Sequence, residues 1–534
     1  MSGIADLCVS PADNSVRHTQ PGGLKVKCPN TPVAAATALL AFFMMAAPLH
    51  AQEDDGKPNY SAEVPPSILT PEETESRIGR LKFFDGLPDA ETVARVYDNL
   101  DFIRAVETFL SGVPVASMHA ICKGLESVGI RKNGGVAITE TLVDARSLFL
   151  TPNTTTPYVI HCIDLADGPV VVEVPPSVAG PVDDAAFRFV TDLGITGPDQ
   201  GKGGKYLFVP PGYSGELPQE GYFMIPSRTN HLVGLYRAFV ENGDIAATVR
   251  NVKEKARVYP LSSAAEPPPT TFSNISGVQL NTIPPNDFSF YEELNAAVQA
   301  EPAGAFDPEM AGLFASIGIQ KGRPFAPSEK MKEILSDAIA VGNATARALL
   351  FAPRDPRAIL YEDRQWRNAF IGGSYEFLEA GARLLNARTA FHYYATGITP
   401  TMAEAKPGTG SAHAYAVRDA KGDYLDGGKT YKITLPAPVP AAGFWSFVVY
   451  DSQTRSLLET DQRAAGIDSL NPAMKANGDG SYTIWFGPEA PEGQQGNWVQ
   501  TRPGKSWNVI LRLYSPQQPW FDRSWKPGDF ELVD

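Results

Sequence analysis

Gly443-Phe-Trp-Ser-Phe-Val-Val-Tyr-Asp451 is the most legible stretch of this chain, and the rest is read outward from it. Aromatic and β-branched residues fill it, with a turn signal at each end. On an extended strand Phe444, Ser446, Val448 and Tyr450 face one way, and Trp445, Phe447 and Val449 face the other. Both faces are apolar, which predicts a central strand covered on both sides. Asn477-Gly-Asp-Gly480 then predicts a hairpin turn into Ser481-Tyr-Thr-Ile-Trp-Phe486. Trp507 to Tyr514 alternates again. Trp507, Val509, Leu511 and Leu513 form a dry face, with Asn508, Arg512 and Tyr514 opposite. Three such strands need a sheet, and a sandwich of two sheets covers both faces.

A chain of 534 residues is too long for one core and predicts two or three domains. Its 46 prolines and 47 glycines supply many turns, favouring β-rich architecture over helical bundles. The net charge of -14 excludes nucleic acid as an expected partner, because phosphate binding needs a basic face. Residues 1–51 read as a signal peptide. Lys25 and Lys27 precede the uncharged run Val33 to Ala47, and Leu49-His-Ala51 offers a small-residue cleavage site. The run is shorter than the roughly 18 apolar residues of a spanning helix, so no transmembrane span is expected after signal removal. Translation from a later start, near Leu24 or Val26, would shorten the unusually long leader. The expected location is periplasmic or secreted. Cys8 and Cys28 would leave with the leader, and Cys122 and Cys162 then either pair, as an oxidising compartment permits, or stay as buried thiols.

Residues 52–85 are polar and proline-rich at their start and read as a linker or arm. Helical periodicity begins near Asp89, is broken by Gly112 and Pro114, and resumes in a second short helix carrying Met118 and Cys122. Short β-branched runs follow at Tyr158–Asp164, 168–174, 187–190 and 206–209, with 222–225 and 232–239 continuing the sheet or covering its edge. Pro260 to Pro285 reads as a long connection. Ser328 then caps a predicted helix ending before Pro353, and Tyr375 to Tyr394 predicts another.

Standard catalytic motifs are absent. Ser411 and His413 lie close together in a Gly-rich stretch that reads as a solvated loop. No histidine pair has chelating spacing and two cysteines cannot build a thiolate zinc site, so no metal ligand set is assigned and no cofactor is named. His161 alternates on a strand that follows the polar run Asn153-Thr-Thr-Thr156. That run reads either as a turn satisfying its own backbone or as a ligand-binding rim. Arg188 and Asp192 flank a neighbouring strand end, as an ion pair or as part of the same pocket. Trp445, Trp485, Trp498 and Trp507, with Tyr450 and Tyr514, form an aromatic set that serves as core or as a stacking surface. Arg512 suits a carboxylate or a salt bridge.

At these residues the chain resembles a bacterial family pair, the domains of unknown function numbered 1254 and 1214. The N-terminal match runs through Thr151-Pro-Asn153, Tyr158, Asp164-Leu-Ala-Asp-Gly-Pro169 and Tyr206-Leu-Phe-Val-Pro-Pro-Gly212. The C-terminal match runs through Leu425-Asp-Gly427, Gly443-Phe-Trp-Ser446, Tyr450-Asp451, Asn477-Gly-Asp-Gly480, Asn497-Trp498 and Leu511-Arg-Leu-Tyr514. The resemblance implies a mostly β fold with α: an Ig-like β-sandwich, a helical insert domain and a C-terminal jelly-roll-like β-sandwich. Family members often carry an aspartate where this chain has Thr155. The resulting plan is 1–51 signal peptide, 52–85 arm, 86–260 N-terminal sandwich with leading helices, 286–396 helical domain and 410–534 jelly-roll-like domain.

The function expected from these readings is an exported protein that binds or processes a polar small molecule or saccharide between two β domains. Asn153, Thr156, Tyr158, Arg188, Asp192, Trp445, Tyr450, Trp498 and Arg512 are the expected lining. His161 and His392 are the candidate bases if the protein is a hydrolase or lyase. The alternative is a non-catalytic structural or adhesive envelope module, and homo-oligomerisation is left open.

Overall fold

The computed structural model of the protein describes residues 61–533. The expected signal peptide, Cys8 and Cys28 lie outside the described residues. The chain divides into a unit ending at Leu69, of which one 3-10 turn, Pro66–Ile68, is described, and a unit from Thr70 onward. All that follows concerns the second unit. It mixes sheets and helices, mostly β with α. Part of the expected arm is in fact a small antiparallel sheet of Glu73–Ser76, Gly79–Phe84 and Leu87–Pro88.

Helix α1 spans Ala90–Ser127 and is capped by Asp89, whose side chain accepts from the Thr92 N–H at 2.7 Å. The two helices expected on either side of Gly112 and Pro114 are one continuous helix. A proline inside a helix leaves the carbonyl four residues earlier without its N–H partner. Here that carbonyl, on Leu110, accepts instead from the Thr389 hydroxyl at 3.0 Å. Gly112 has a packing role, because a Cβ there would sit 2.9 Å from Leu294 of a neighbouring helix. Helices α3 (Ser289–Ala300), α4 (Pro308–Ser316), α5 (Glu329–Phe351) and α6 (Leu385–Tyr394) pack on α1, and α2 (Ile245–Lys255) covers one end of the sheets. Ser328 caps α5 as expected, accepting from the Met331 N–H at 3.2 Å. The helix read from Tyr375 starts only at Leu385, because Gly381 turns a two-residue hairpin, Leu378–Glu379 on Ala382–Arg383, ahead of it. Its φ of +81° is in the left-handed region that glycine tolerates.

Two sheets share one apolar core in the N-terminal half. The six-stranded sheet runs in the order Thr271–Asn274, Gly135–Ile138, Tyr158–Asp164, His231–Ala238, Val178–Asp184, Phe189–Gly194. The four-stranded sheet runs Phe223–Pro226, Gly204–Val209, Val170–Val174, Arg257–Pro260. The connection expected over 260–285 therefore contains a strand, Thr271–Asn274, paired parallel with Gly135–Ile138. Alternation sends Val159 and Ile163 into the shared core, and Ile160 and Cys162 toward the helices. Cys162 is bonded there to Cys122 of α1.

The C-terminal half repeats the plan. One sheet runs Ser411–Ala416, Trp507–Tyr514, Trp445–Asp451, Gly466–Asp468, and the other Trp498–Gln500, Tyr482–Gly487, Thr430–Leu435, Glu531–Val533. Trp445, Phe447, Val449, Trp507, Val509, Leu511 and Leu513 lie in the core they share, the two dry faces read from alternation. The Asn477–Gly480 turn forms, with Asn477 donating its N–H to Ser481 at 2.8 Å. No hairpin follows from it. Tyr482–Gly487 pairs with Thr430–Leu435 and Trp498–Gln500, because residues 470–476 before the turn are not a strand.

Candidate functional site: a cavity between the two halves

A cavity of about 670 Å³ lies between the helix-facing side of the six-stranded sheet and the outer side of the Trp507–Tyr514 sheet, with α6 and the segment after it as a third wall. That volume falls in the range of small-molecule sites. Period-two geometry places its side chains. On the N-terminal sheet Tyr158, Arg237 and Ala179 are cross-strand neighbours, and Asp192 is paired with Pro181 one strand further. On the C-terminal sheet His413 stands opposite Arg512, and Ser411 opposite Tyr514. Leu235, Phe391, Met402 and Ile510 give the rest of the wall an apolar character.

Two arginines dominate the electrostatics. Arg512 is only 6% exposed; it donates to the Thr151 carbonyl at 2.9 Å, and its guanidinium lies 5.8 Å from the centroid of the Tyr450 ring. Its other terminal nitrogen has no partner. Arg237 is half-buried, with its guanidinium 6.0 Å from the Tyr514 ring. Among the described residues no carboxylate forms an ion pair with either arginine. An unpaired cation withdrawn from water costs several kcal/mol, so the arrangement favours an anion entering the cavity.

The neighbouring groups suit the same occupant. His413 has Nε2 3.3 Å from the Ser411 hydroxyl, and burial together with Arg512 and Arg237 pushes its pKa down to about 3, so it is neutral. The Tyr158 hydroxyl accepts from the Asn153 N–H at 2.9 Å and from Asn153 Nδ2 at 2.6 Å, which leaves its own proton to donate. Thr151 pins the floor. Its φ is +41°, held by its N–H to Arg455, its hydroxyl to Tyr394 and its carbonyl to Arg512. Further along the wall Asp192 accepts from the Thr399 hydroxyl at 3.0 Å through Oδ2, while Oδ1 has no partner. Burial raises its pKa, against the hydrogen bonds from Thr399 and Thr196.

Of the residues expected to line a pocket, Asn153, Tyr158, Asp192 and Arg512 do so. Thr156 and Tyr450 sit one layer behind: the Thr156 hydroxyl donates to Asn153 at 3.1 Å, and the Tyr450 hydroxyl to the Pro152 carbonyl at 2.7 Å. Asn153 Oδ1 also takes the N–H groups of Thr155 and Thr156, so the polar run is a self-satisfying turn that doubles as a brace for Tyr158. The others are elsewhere. His161 lies on the opposite face of its strand, inside the core between the N-terminal sheets, against Gly234 and Tyr236. Burial holds its pKa near about 4. His392 is enclosed by Phe187, Phe377 and Phe391, and burial pushes its pKa well below the usual range. Arg188 clamps Asp184 at 2.7 Å and the Ala305 carbonyl at 2.8 Å, tying sheet to helices. Trp445 packs inside the C-terminal core, and Trp498 donates to the Gly487 carbonyl at a strand edge. No group of three or more His, Cys, Asp or Glu residues converges among the described residues.

Arg237, Ser411 and His413 were missed or set aside. Arg237 is legible as the one charge in the otherwise apolar run from Leu232 to Ala238. The stretch around His413 is expected as a loop, yet Ser411–Ala416 is an edge strand paired along its length with Trp507–Tyr514. A second cavity, of about 70 Å³ beside His231, is too small for an organic ligand.

The chain thus has two paired-sheet halves, a helical layer and a cavity bearing two arginines. Residues 135–260 match "Protein of unknown function (DUF1254)", and residues 410–518 match "Protein of unknown function (DUF1214)". The VPA0106 protein from Vibrio parahaemolyticus has a similar fold, with TM-score 0.51 and 18% identity over 81% of this chain and 100% of that one. A putative uncharacterized protein from Burkholderia cenocepacia matches with TM-score 0.36 and 11% identity, covering 82% of this chain and 96% of its own. No curated protein matches the chain.

Proposed function

We propose that this protein is an exported binding protein that holds a small organic anion in the cavity between an Ig-like N-terminal sandwich and a jelly-roll-like C-terminal one. The observation that carries the reading is the convergence of Arg237 and Arg512 on one cavity without a carboxylate to neutralise them. A carboxylate, sulfate or phosphate of the ligand would take that place, with Tyr158 and Ser411 adding hydrogen bonds and the apolar wall covering the ligand's body. The Cys122–Cys162 bond supports an oxidising, periplasmic or secreted location. Hydrolase or lyase chemistry would fall to Ser411 and His413. No carboxylate hydrogen-bonds His413 among the described residues, and a histidine with a pKa of about 3 is a weak base, so binding is the better-supported role.

The test is thermal unfolding of the whole protein with small carboxylates, sulfate, phosphate and neutral sugars. A ligand at a hundredfold excess over its Kd adds about 2.7 kcal/mol of stability. Small anions should raise the melting temperature, and Arg237→Met should abolish the rise. A response to neutral sugars that survives Arg237→Met, with none to anions, would overturn the reading.

A further inference from the structure

We infer that the ligand is bipolar, carrying an anionic group for the arginines and a protonated amine for Asp192. This rests on the reading of Arg237 and Arg512 as the anion seat. Asp192 belongs to the wall of the same cavity, is 6% exposed, and has one oxygen on Thr399 and the other without a partner. Among the described residues no cation pairs with it. A buried carboxylate in that state lacks a donor as much as a buried arginine lacks an acceptor.

The two poles are held apart by the sheet itself. Arg237 is level with Ala179, Ala179 with Gly194, and Pro181 with Asp192, so Asp192 lies two strands across and two residues along from Arg237. Strand spacing and rise then put the two backbones roughly 12 Å apart. Arg237 and Asp192 share a face, so they bound one space instead of neutralising each other. Leu235 and Pro181 lie on the sheet along that interval, which suits an aliphatic or aromatic spacer. ω-Amino acids and short peptides have this form.

The test is isothermal titration of the whole protein with three straight-chain series matched in length: alkanoates, ω-hydroxy acids and ω-amino acids. An amine on a buried carboxylate should make one length of ω-amino acid bind about tenfold tighter than its alkanoate. Asp192→Asn, close to isosteric, should remove that advantage, so that the ω-amino acid binds no tighter than the alkanoate of the same length in the variant. Equal binding of alkanoate and ω-amino acid at every length in the wild-type protein would overturn the inference without any variant. Equal gain from the ω-hydroxy acids would overturn the cationic end. If no series binds, the anion seat falls as well, which is a different result from alkanoate binding with no amine preference.

Discussion

The imidazole of His231 lies with Nδ1 2.8 Å from the carboxylate of Glu301, joining the start of a central strand to the end of α3. Its Nε2 is 3.1 Å from Asp164. Burial works against the charged ring, but hydrogen bonds and charge from Asp164 and Glu301 prevail and raise its pKa to about 9. The unfolded value is about 6.5. A pKa raised by folding gives stability that is complete below the unfolded value and lost as pH climbs through the folded one. Wild-type protein should therefore lose about 2–3 kcal/mol relative to His231→Gln between pH 6.5 and 9. Urea midpoints of both proteins across that interval measure it, and parallel curves would contradict it.

The Thr389 hydroxyl replaces a backbone partner that Pro114 cannot supply. Thr389→Val should cost about 1–2 kcal/mol, since a partly buried carbonyl loses its donor. In a Pro114→Ala background the helix closes its own bond, and the cost should shrink. A double-mutant cycle from denaturant melts reads the difference, and additive costs would count against the role given to Thr389.

Gly234 lets its strand pass over the ring of His161. A methyl at this position collides with His161 Nε2, whose surroundings are packed sheet core. Gly234→Ala is expected to destabilise by about 1–3 kcal/mol. His161→Ala should make that second change nearly free. A tolerated Gly234→Ala in the wild-type background would show that the ring can move aside.

The Cys122–Cys162 bond closes a loop of 40 residues between α1 and the sheet. The chain-entropy estimate for such a loop is about 4 kcal/mol. Replacing both cysteines with serine should lower the melting temperature and make it insensitive to reductant, while the wild-type melting temperature falls when reductant is added. Identical melting with and without reductant would contradict it.

Much of the C-terminal half was legible because period-two alternation has one solution there. Trp507, Val509, Leu511 and Leu513 are bulky and dry, so Arg512 and Tyr514 had to face away from that core. The strand of His161 defeated the same logic. Val159 and Ile163 on one side and Ile160 and Cys162 on the other are all apolar, since sheet covers one face and helices the other. Alternation could group these residues but not say which group bordered a cavity. His413 was lost for another reason. Its pairing partner lies about a hundred residues away, and a short Gly-flanked segment carries no local sign of the strand it completes. The break read at Pro114 failed because the rescue comes from Thr389, on a helix no local window includes.

The cavity's two arginines come one from each half, residue 237 and residue 512, each outward on a sheet whose opposite side is filled. Produced separately, either half would present an open shallow cup with a stranded arginine and wet apolar wall. If the proposed anion seat is right, neither half forms it alone. Splitting, swapping or fusing the halves in engineered chains should preserve recognition only where both partners and the α6 wall come along together.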